Sequence, residues 1–411
     1  MSHSILLGKT GFINMRYFLI IIVTAAFILG QFARVQLGNL GVTLIDIIIL
    51  ITSGMWMGKY FLIERKRIKN SQILMYLMGF FVSGITGLIL FSSKLTPQEI
   101  IISLLYPLRL ISYLSLFYVI KNSSEKTRKD IFKFLIVSGV VIVGIGFVQY
   151  FFYQSLGNLR YLGWDEHLYR LFSTFLDPNF AGAFLAIFIL ILVEIVISMG
   201  DKNKKLIFIL LIFLAFVAEI LTYSRTGFIM LLVGLGVFLL SFVSKKITII
   251  ILLTCLLLFF AAANTKIEGL NPFRIASSEA RIESMGDAAK IITKHPLFGV
   301  GFNSYRYAQV QMGFRQELPN IQSHSDSGTD NSFLFALATT GVIGGIFFTL
   351  FLFSILGKSW KLASQKDFLA RSFFASLVSV LVGSFFINAL FYPMILGWLV
   401  VVGALIQSRK F

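Results

Sequence analysis

Charge is scarce in this chain. Only 13% of its 411 residues are Asp, Glu, Lys or Arg, about half the share of an ordinary soluble domain. Cysteine is scarcer still. Cys255 stands alone inside an apolar run, so there is no disulfide framework and no thiolate zinc site. There is no low-complexity tract and no visible repeat between the halves. What fills the chain instead is apolar: 57% hydrophobic residues, 44 of the residues being Phe. So much apolar surface cannot be hidden inside one or two soluble domains of this size. A soluble enzyme, a disordered protein and a disulfide scaffold are excluded.

A hydrocarbon core about 30 Å thick takes roughly 20 apolar residues of helix. Runs that meet this demand fall at 17–33, 41–62, 73–91, 100–120, 131–153, 180–198, 206–223, 226–244, 247–263, 331–356, 372–390 and 394–407. The expectation is an all-α polytopic membrane protein of about twelve transmembrane helices. The stretch 206–244 is too long for one span and splits at the polar Tyr223-Ser224-Arg225-Thr226-Gly227. The stretch 372–407 splits at Phe391-Tyr392-Pro393, where Pro393 lacks a donor N–H. The first run lacks a small-residue cleavage site after it and reads as a retained helix rather than a signal peptide.

The net charge of +17 follows topology. With the N-terminus in the cytoplasm, the loops around Arg65–Lys69, Lys121–Lys133, Lys202–Lys205, Lys245–Lys246 and Lys358–Arg371 all fall inside, as the positive-inside rule requires. Both termini are then cytoplasmic, and a nucleic-acid partner is not expected. The chain divides into a five-helix region (1–153), an outside loop (154–179), a four-helix region (180–263), a large outside loop (264–330) and a three-helix region (331–411).

Polar residues gather outside. Within 264–330, Ile275, Ile282, Met285, Ala289 and Ile292 recur at helical spacing. They predict an amphipathic helix near 275–293, lying on the membrane surface, over a cavity, or packed on the bundle. Gly299 and Gly301 in HPLFGVGF permit positive φ and close backbone approach. The loop ends in His324, Asp326, Asp330 and Asn331, just before a span, where a helix amino end favours anions. Asp330 could equally be a helix cap beside Asn331. Arg225 lies between two spans with almost no loop, where an unpaired guanidinium is costly. Either it snorkels to lipid phosphates or it faces a polar cavity and holds an anion, with Glu219 a candidate partner. Arg109 lies within a span and reads as functional or as a buried pair with Asp46. Glu194 is expected to snorkel. Small residues at Gly79/Ser83/Gly87 and Gly341/Gly345 would let helices approach closely.

Four segments resemble motifs of the O-antigen polymerase and O-antigen ligase superfamily of bacterial multi-spanning glycosyltransferases. They are RLFSTFLDPNFAGAFLA (170–186), TYSRTGF (222–228), HPLFGVGFNSY (295–305) and DNSFLFALATTGVIGG (330–345). The resemblance covers roughly 165–350 and implies a glycosyltransferase of GT-C-like architecture in the cytoplasmic membrane, with its site on the outer face. It implies a donor glycan on undecaprenyl diphosphate, inversion at the anomeric carbon, no metal and no cofactor. Membrane lipids, a chain-length regulator and a flippase of the same pathway are the implied partners. Arg225 and Arg170 match the family's arginines and become diphosphate-clamp candidates, with Arg160 a nearby substitute. Asn179, His295, Gly299, Gly301 and Asn331 fall in the motifs as substrate-binding candidates. The ligases carry His nine residues and one Asn, Ser or Gln before a Gly; here Asp330-Asn331 precedes Gly341. Asp330 thus occupies the histidine position, His324 lies six residues earlier, and the proton acceptor is Asp330, His324 or neither. The Asp points to a polymerase making O-antigen, capsule or exopolysaccharide. A ligase acting on lipid A–core is the alternative within the family. A lipid-linked oligosaccharide flippase or a non-catalytic export scaffold is the alternative outside it.

Overall fold

The computed structural model describes residues 24–37, 40–65, 71–243, 275–315, 328–365 and 367–407, with scattered positions between 246 and 257. A short helix, α1 (Thr24–Ala33), leads into a hairpin of β1 (Arg34–Leu37) and β2 (Leu40–Thr43). The strands are antiparallel, Arg34 facing Thr43 and Gln36 facing Gly41. The helices that follow are α2 (Leu44–Gly58), α3 (Gln72–Phe91), α4 (Pro97–Lys121), α5 (Glu125–Phe152), α6 (Pro178–Ser198), α7 (Lys202–Leu221) and α8 (Arg225–Phe242). After the long loop come α9 (Ile275–Lys294), α10 (Tyr305–Gln311), α11 (Ser332–Ser364), α12 (Ala370–Gly383) and α13 (Pro393–Gln407).

Among the described residues, seven helical segments are long and apolar enough to cross a membrane; α1, α12 and α13 are shorter apolar helices. The expected run 247–263 and the first part of 17–33 lie largely outside the described residues. The run expected at 41–62 starts three residues late, because Gly41–Thr43 pairs as a strand and Thr43 then caps α2. The run 372–390 stops as a helix at Gly383, and the chain turns through 384–392 before Pro393 opens α13.

Sequence places the helix ends sharply. Thr43 with Asp46 and Thr96 with Glu99 form reciprocal capping boxes on α2 and α4, and Ser124, Asp177, Asp201, Ser224 and Asn331 cap α5, α6, α7, α8 and α11. Helix α6 is apolar all round and buried on nearly every side, the pattern of a central helix. Trp398 of α13 meets Phe184 edge-on at 4.8 Å between ring centroids. Glu194, near the far end of α6, is fully buried. It does not snorkel. Arg371 of α12 grips it, with Nη2–Oε1 at 2.5 Å and Nε 3.2 Å from both oxygens.

The small-residue stripe on α3 packs on α11. The Ser83 hydroxyl donates to the Thr340 carbonyl at 2.7 Å, and a Cβ on Gly79 would meet the Phe347 ring at 2.5 Å. Gly341 breaks α11 with φ 65° and ψ −172°. The break frees carbonyls and N–H groups at membrane depth, where each must find a partner. Segment 296–301 supplies them. Val300 and Gly301 N–H donate to the carbonyls of Ala338 and Thr339, both at 2.9 Å. Val342 and Ile343 N–H donate to Pro296 and Leu297 carbonyls at 2.8 and 3.2 Å. A piece of the long loop is thereby threaded into the interrupted helix.

Helix α9 packs on the bundle. Ala288 and Ile291 are buried with Phe91, Val300, Tyr305 and Phe335. The buried face is displaced from the expected stripe: Ile282 is 70% exposed and Ala289 is exposed, while Asp287 is buried. The helix also makes a polar contact, Ser284 donating to the Thr329 hydroxyl at 3.1 Å.

Candidate functional site

One end of the bundle carries the hairpin, the loop 153–177, the turns at 222–224 and 384–392, α9, α10 and Asp330. Three local structures gather polar groups there.

The first is the turn between α7 and α8. Tyr223 takes a left-handed conformation (φ 51°), and Ser224 caps α8 by accepting from Gly227 N–H at 3.1 Å. The Ser224 hydroxyl donates to Asn179 Oδ1 at 3.2 Å, tying the turn to the start of α6. Arg170 is buried and donates from Nε to the Thr222 carbonyl at 2.9 Å and from Nη2 to the Tyr223 carbonyl at 3.4 Å. A guanidinium on the closing carbonyls of a helix is favourably placed against its dipole. Gln149 fixes Arg170 in turn: its amide donates to the Arg170 carbonyl at 3.1 Å, and its oxygen accepts from Phe172 N–H at 2.8 Å. Arg170 therefore shapes the turn that presents Arg225, which is half-buried as the first residue of α8.

Glycines bring α6 and α8 together below this turn. A Cβ on Gly227 would lie 2.8 Å from Gly182 Cα and 2.6 Å from Glu219 Oε1. Glu219 is buried at this crossing, and neither carboxyl oxygen has a hydrogen-bond partner. The expected Glu219–Arg225 pair is not formed. The left-handed turn carries Arg225 onto the next helix, while Glu219 stays wedged between two glycines.

The second structure is the start of α11. Asn331 is its cap: Oδ1 accepts from Phe333 and Leu334 N–H at 2.9 and 3.0 Å, and the amide donates to the Phe385 carbonyl at 3.2 Å. Asp330 is thus relieved of capping and is exposed. Enough protein crowds round it that burial raises its carboxyl above the usual carboxylate range; Arg281 opposes this and Asp177 and Asp165 add to it. His324 lies outside the described residues.

The third lies between them. Tyr392 stacks on Phe180 at 3.9 Å between centroids and donates to the Phe175 carbonyl at 3.3 Å. It accepts from the Gln31 amide at 3.2 Å. Asp177, Arg34 and Arg109 all act on it electrostatically. Arg109 pairs with Asp46 at 2.8 Å, as its position within a span suggested.

The remaining candidates sit elsewhere. Arg160 is exposed on the 3-10 turn Gly157–Leu162, and among the described residues no hydrogen bond or ion pair joins it to the other candidates. His295 meets Phe91 edge-on at 5.4 Å, and burial, then Lys94 and Lys294, pushes its imidazole down. Gly299 and Gly301 have φ of 67° and 90° and lie against the backbones of α11 and α3, where any side chain would collide. Their geometry is explained by the threading of α11.

Residues 210–349 match the family of O-antigen ligases. That stretch is similar to the O-antigen ligase and polymerase superfamily. No curated protein matches it. The ligase-type stretch includes Arg225, the threaded segment, Asp330 and Asn331. Arg170, Asn179 and Arg109 lie outside it; Arg170 and Asn179 are hydrogen-bonded to the turn that leads into Arg225. Members of the superfamily are glycosyltransferase-like membrane enzymes. Arg225 at a helix amino end attracts oxyanions, and an open carboxylate with a raised pKa accepts protons near neutral pH more readily than an ordinary one. Sequence reading passed over Arg34, Asp165, Asp177 and Tyr392. For Arg34 the signal was there, a lone cation in a short outside loop; for Tyr392 it was the Tyr-Pro break between two spans.

Proposed function

We propose that this protein is a polymerase of the cytoplasmic membrane. It would transfer a glycan from undecaprenyl diphosphate to another lipid-linked repeat unit in O-antigen, capsule or exopolysaccharide synthesis, at its extracytoplasmic face. The observation that carries the reading is Asp330, uncapped and open beside the start of α11, where the ligases resembled here hold histidine. In this reading the acceptor sugar hydroxyl attacks the anomeric carbon from the face opposite the phosphate. The bond from that carbon to the phosphate oxygen breaks, the diphosphate leaves with the electron pair against Arg225, and the hydroxyl proton passes to Asp330. A bidentate guanidinium suits two phosphate oxygens, and one such donor is worth about 3 kcal/mol at the transition state.

The second reading, a ligase delivering finished glycan to an acceptor such as lipid A–core, is favoured by the matched family itself. Gel analysis of surface glycan in a deletion strain separates them. Single repeats left on the acceptor support the polymerase. Absence of all transferred glycan supports the ligase. Repeat units trapped on the inner leaflet would show a flippase and end both readings.

A further inference from the structure

Helix α4 joins two ends of the bundle. Near its start, Gln311 of α10 donates to the Lys94 carbonyl at 2.6 Å, so that end lies beside α10. Lys121 closes the helix, about 36 Å further along an axis that rises ~1.5 Å per residue. At this far end α1, α2, α4, α5 and α13 leave a hollow between them, about 830 Å³ with its open mouth included. Ligand pockets commonly measure about 300–1,000 Å³.

The hollow is amphiphilic. Its walls are apolar, with Phe27, Leu116, Ile131, Leu135 and Val401 among them. Its rim is polar, because Asn122, Ser123 and Thr127 come from the turn between α4 and α5. That turn is basic. Between Lys121 and Lys133 stand five cations and two acids, and one of the acids, Glu125, pairs with Lys129 at 2.7 Å. Lys121 and Lys126 are exposed.

Aromatic residues mark the depth. Trp56 lines the hollow and stacks on Tyr60 at 4.7 Å and on Tyr118 at 6.0 Å between ring centroids. Trp and Tyr gather in this way at the headgroup level of a bilayer. Thr52 also lines the hollow. It precedes Trp56 by one turn of α2 and so lies about 6 Å deeper. It is 8% exposed, and its hydroxyl has no hydrogen-bond partner. A hydroxyl left unpaired in an apolar interior is costly, and a ligand that accepts from it removes that cost.

We propose that this hollow binds one anionic phospholipid. An acyl chain lies along the apolar walls, a glycerol ester carbonyl accepts from the Thr52 hydroxyl, and the phosphate rests on the basic turn between α4 and α5. The layering of the site matches that of the lipid: cations outermost, a hydroxyl one turn below the aromatic ring, hydrocarbon beneath. The cations favour an anionic headgroup over a zwitterionic one, and the positive-inside rule assigns this end to the cytoplasm. The site shares no residue with the group around Arg225 and Asp330 and does not depend on the polymerase reading.

The test is native mass spectrometry of the full chain released from detergent, with added dioleoylphosphatidylglycerol or, separately, dioleoylphosphatidylcholine. The wild type is expected to retain one phosphatidylglycerol in preference to phosphatidylcholine. Thr52→Val should weaken retention of both lipids about fivefold, the worth of one hydrogen bond. Lys121→Gln and Lys126→Gln should each weaken phosphatidylglycerol alone about fivefold, the worth of one cation near an anionic surface. Val119→Trp, which fills the hollow, should lose both lipids. Thr52→Val should not lower the lipid-free unfolding temperature, because it removes an unpaired hydroxyl and keeps the side chain's shape. Added phosphatidylglycerol should then raise the unfolding temperature of the wild type more than that of the variant. Equal retention of the two lipids by the wild type, or unchanged retention in both Thr52→Val and Val119→Trp, overturns the site.

Discussion

Asn331 caps α11 and so releases Asp330. The Asn331 side chain takes the first two free N–H groups of the helix, at 2.9 and 3.0 Å, and its neighbour's carboxyl makes no hydrogen bond among the described residues. Two adjacent residues that look interchangeable therefore have separable roles. Asp330→Asn should reduce glycan transfer by about 10²- to 10⁴-fold, the usual worth of a positioned acid–base group, with normal protein abundance. Asn331→Ala should destabilise the protein by about 1 kcal/mol, as cap removals do. Chain-length gels and thermal unfolding in detergent distinguish the two.

The raised Asp330 pKa sets a pH signature. The folded protein holds this proton more tightly than the unfolded chain. Stability from Asp330 is thus fully present below the unfolded value of about 3.9, and it is lost as pH rises through the folded value. Proton acceptance runs the other way and fails as pH falls through that same folded value. The acid limb of kcat/KM should lie above the ordinary aspartate range and vanish in Asp330→Asn. A transfer assay with a fluorescent lipid-linked substrate checks this; an unmoved limb in the variant would remove Asp330 as the proton acceptor.

Arg170 and Arg225 should fail differently. Arg225→Ala should stop chain growth while leaving the protein in the membrane. Arg170→Lys keeps the charge but cannot reproduce both carbonyl contacts at 222 and 223, because a lysine is a point donor without a planar fork. Partial activity with a lowered unfolding temperature is expected, since the turn loosens while Arg225 remains. Wild-type chain length in Arg225→Ala would end the clamp.

Gly341→Ala should be severe. The φ of 65° is unfavourable for a side chain, by about 1–3 kcal/mol, and a Cβ would lie 2.2 Å from the Leu297 backbone. Loss of folded protein from the membrane fraction is expected, and Gly345→Ala, on the same helix, should be milder because its nearest neighbour is the flexible Leu337 side chain.

Arg371→Ala should cost about 3–5 kcal/mol, since it strands the fully buried Glu194 carboxylate without its partner. Replacing both, as Glu194→Leu with Arg371→Met, should cost less than the single change. Unfolding midpoints of the three proteins measure it.

Much of this was readable in advance. Spans announce themselves because lipid demands long apolar helices, and Arg109 with Asp46 was findable because a charge within a span needs a partner. Gly79 and Ser83 of α3 meet α11 as their spacing suggested, but Gly341 and Gly345 face Leu297 and Leu337 instead. Other features depend on tertiary placement. Glu219 and Arg225 are six residues apart in sequence, but the left-handed Tyr223 sends them to different helices. The stripe on α9 is displaced, because Ala288 and Ile291 pack against Phe91, Val300 and Phe335 while Ile282 and Ala289 stay exposed. Glu194 looked like a snorkelling residue since its partner lies on a helix remote in sequence. Arg34 gains its setting only when the hairpin folds over Gly41, which no periodicity in the chain foretells.

The interruption at Gly341 has a consequence for engineering. Residues 296–301 and 338–343 satisfy one another's backbones, so neither half has a complete structure without the other. A loop of this kind cannot be transplanted between relatives by itself. A chimera that swaps the loop must carry the host helix with it, and specificity borne by that loop would be inherited as one block with a piece of the transmembrane bundle.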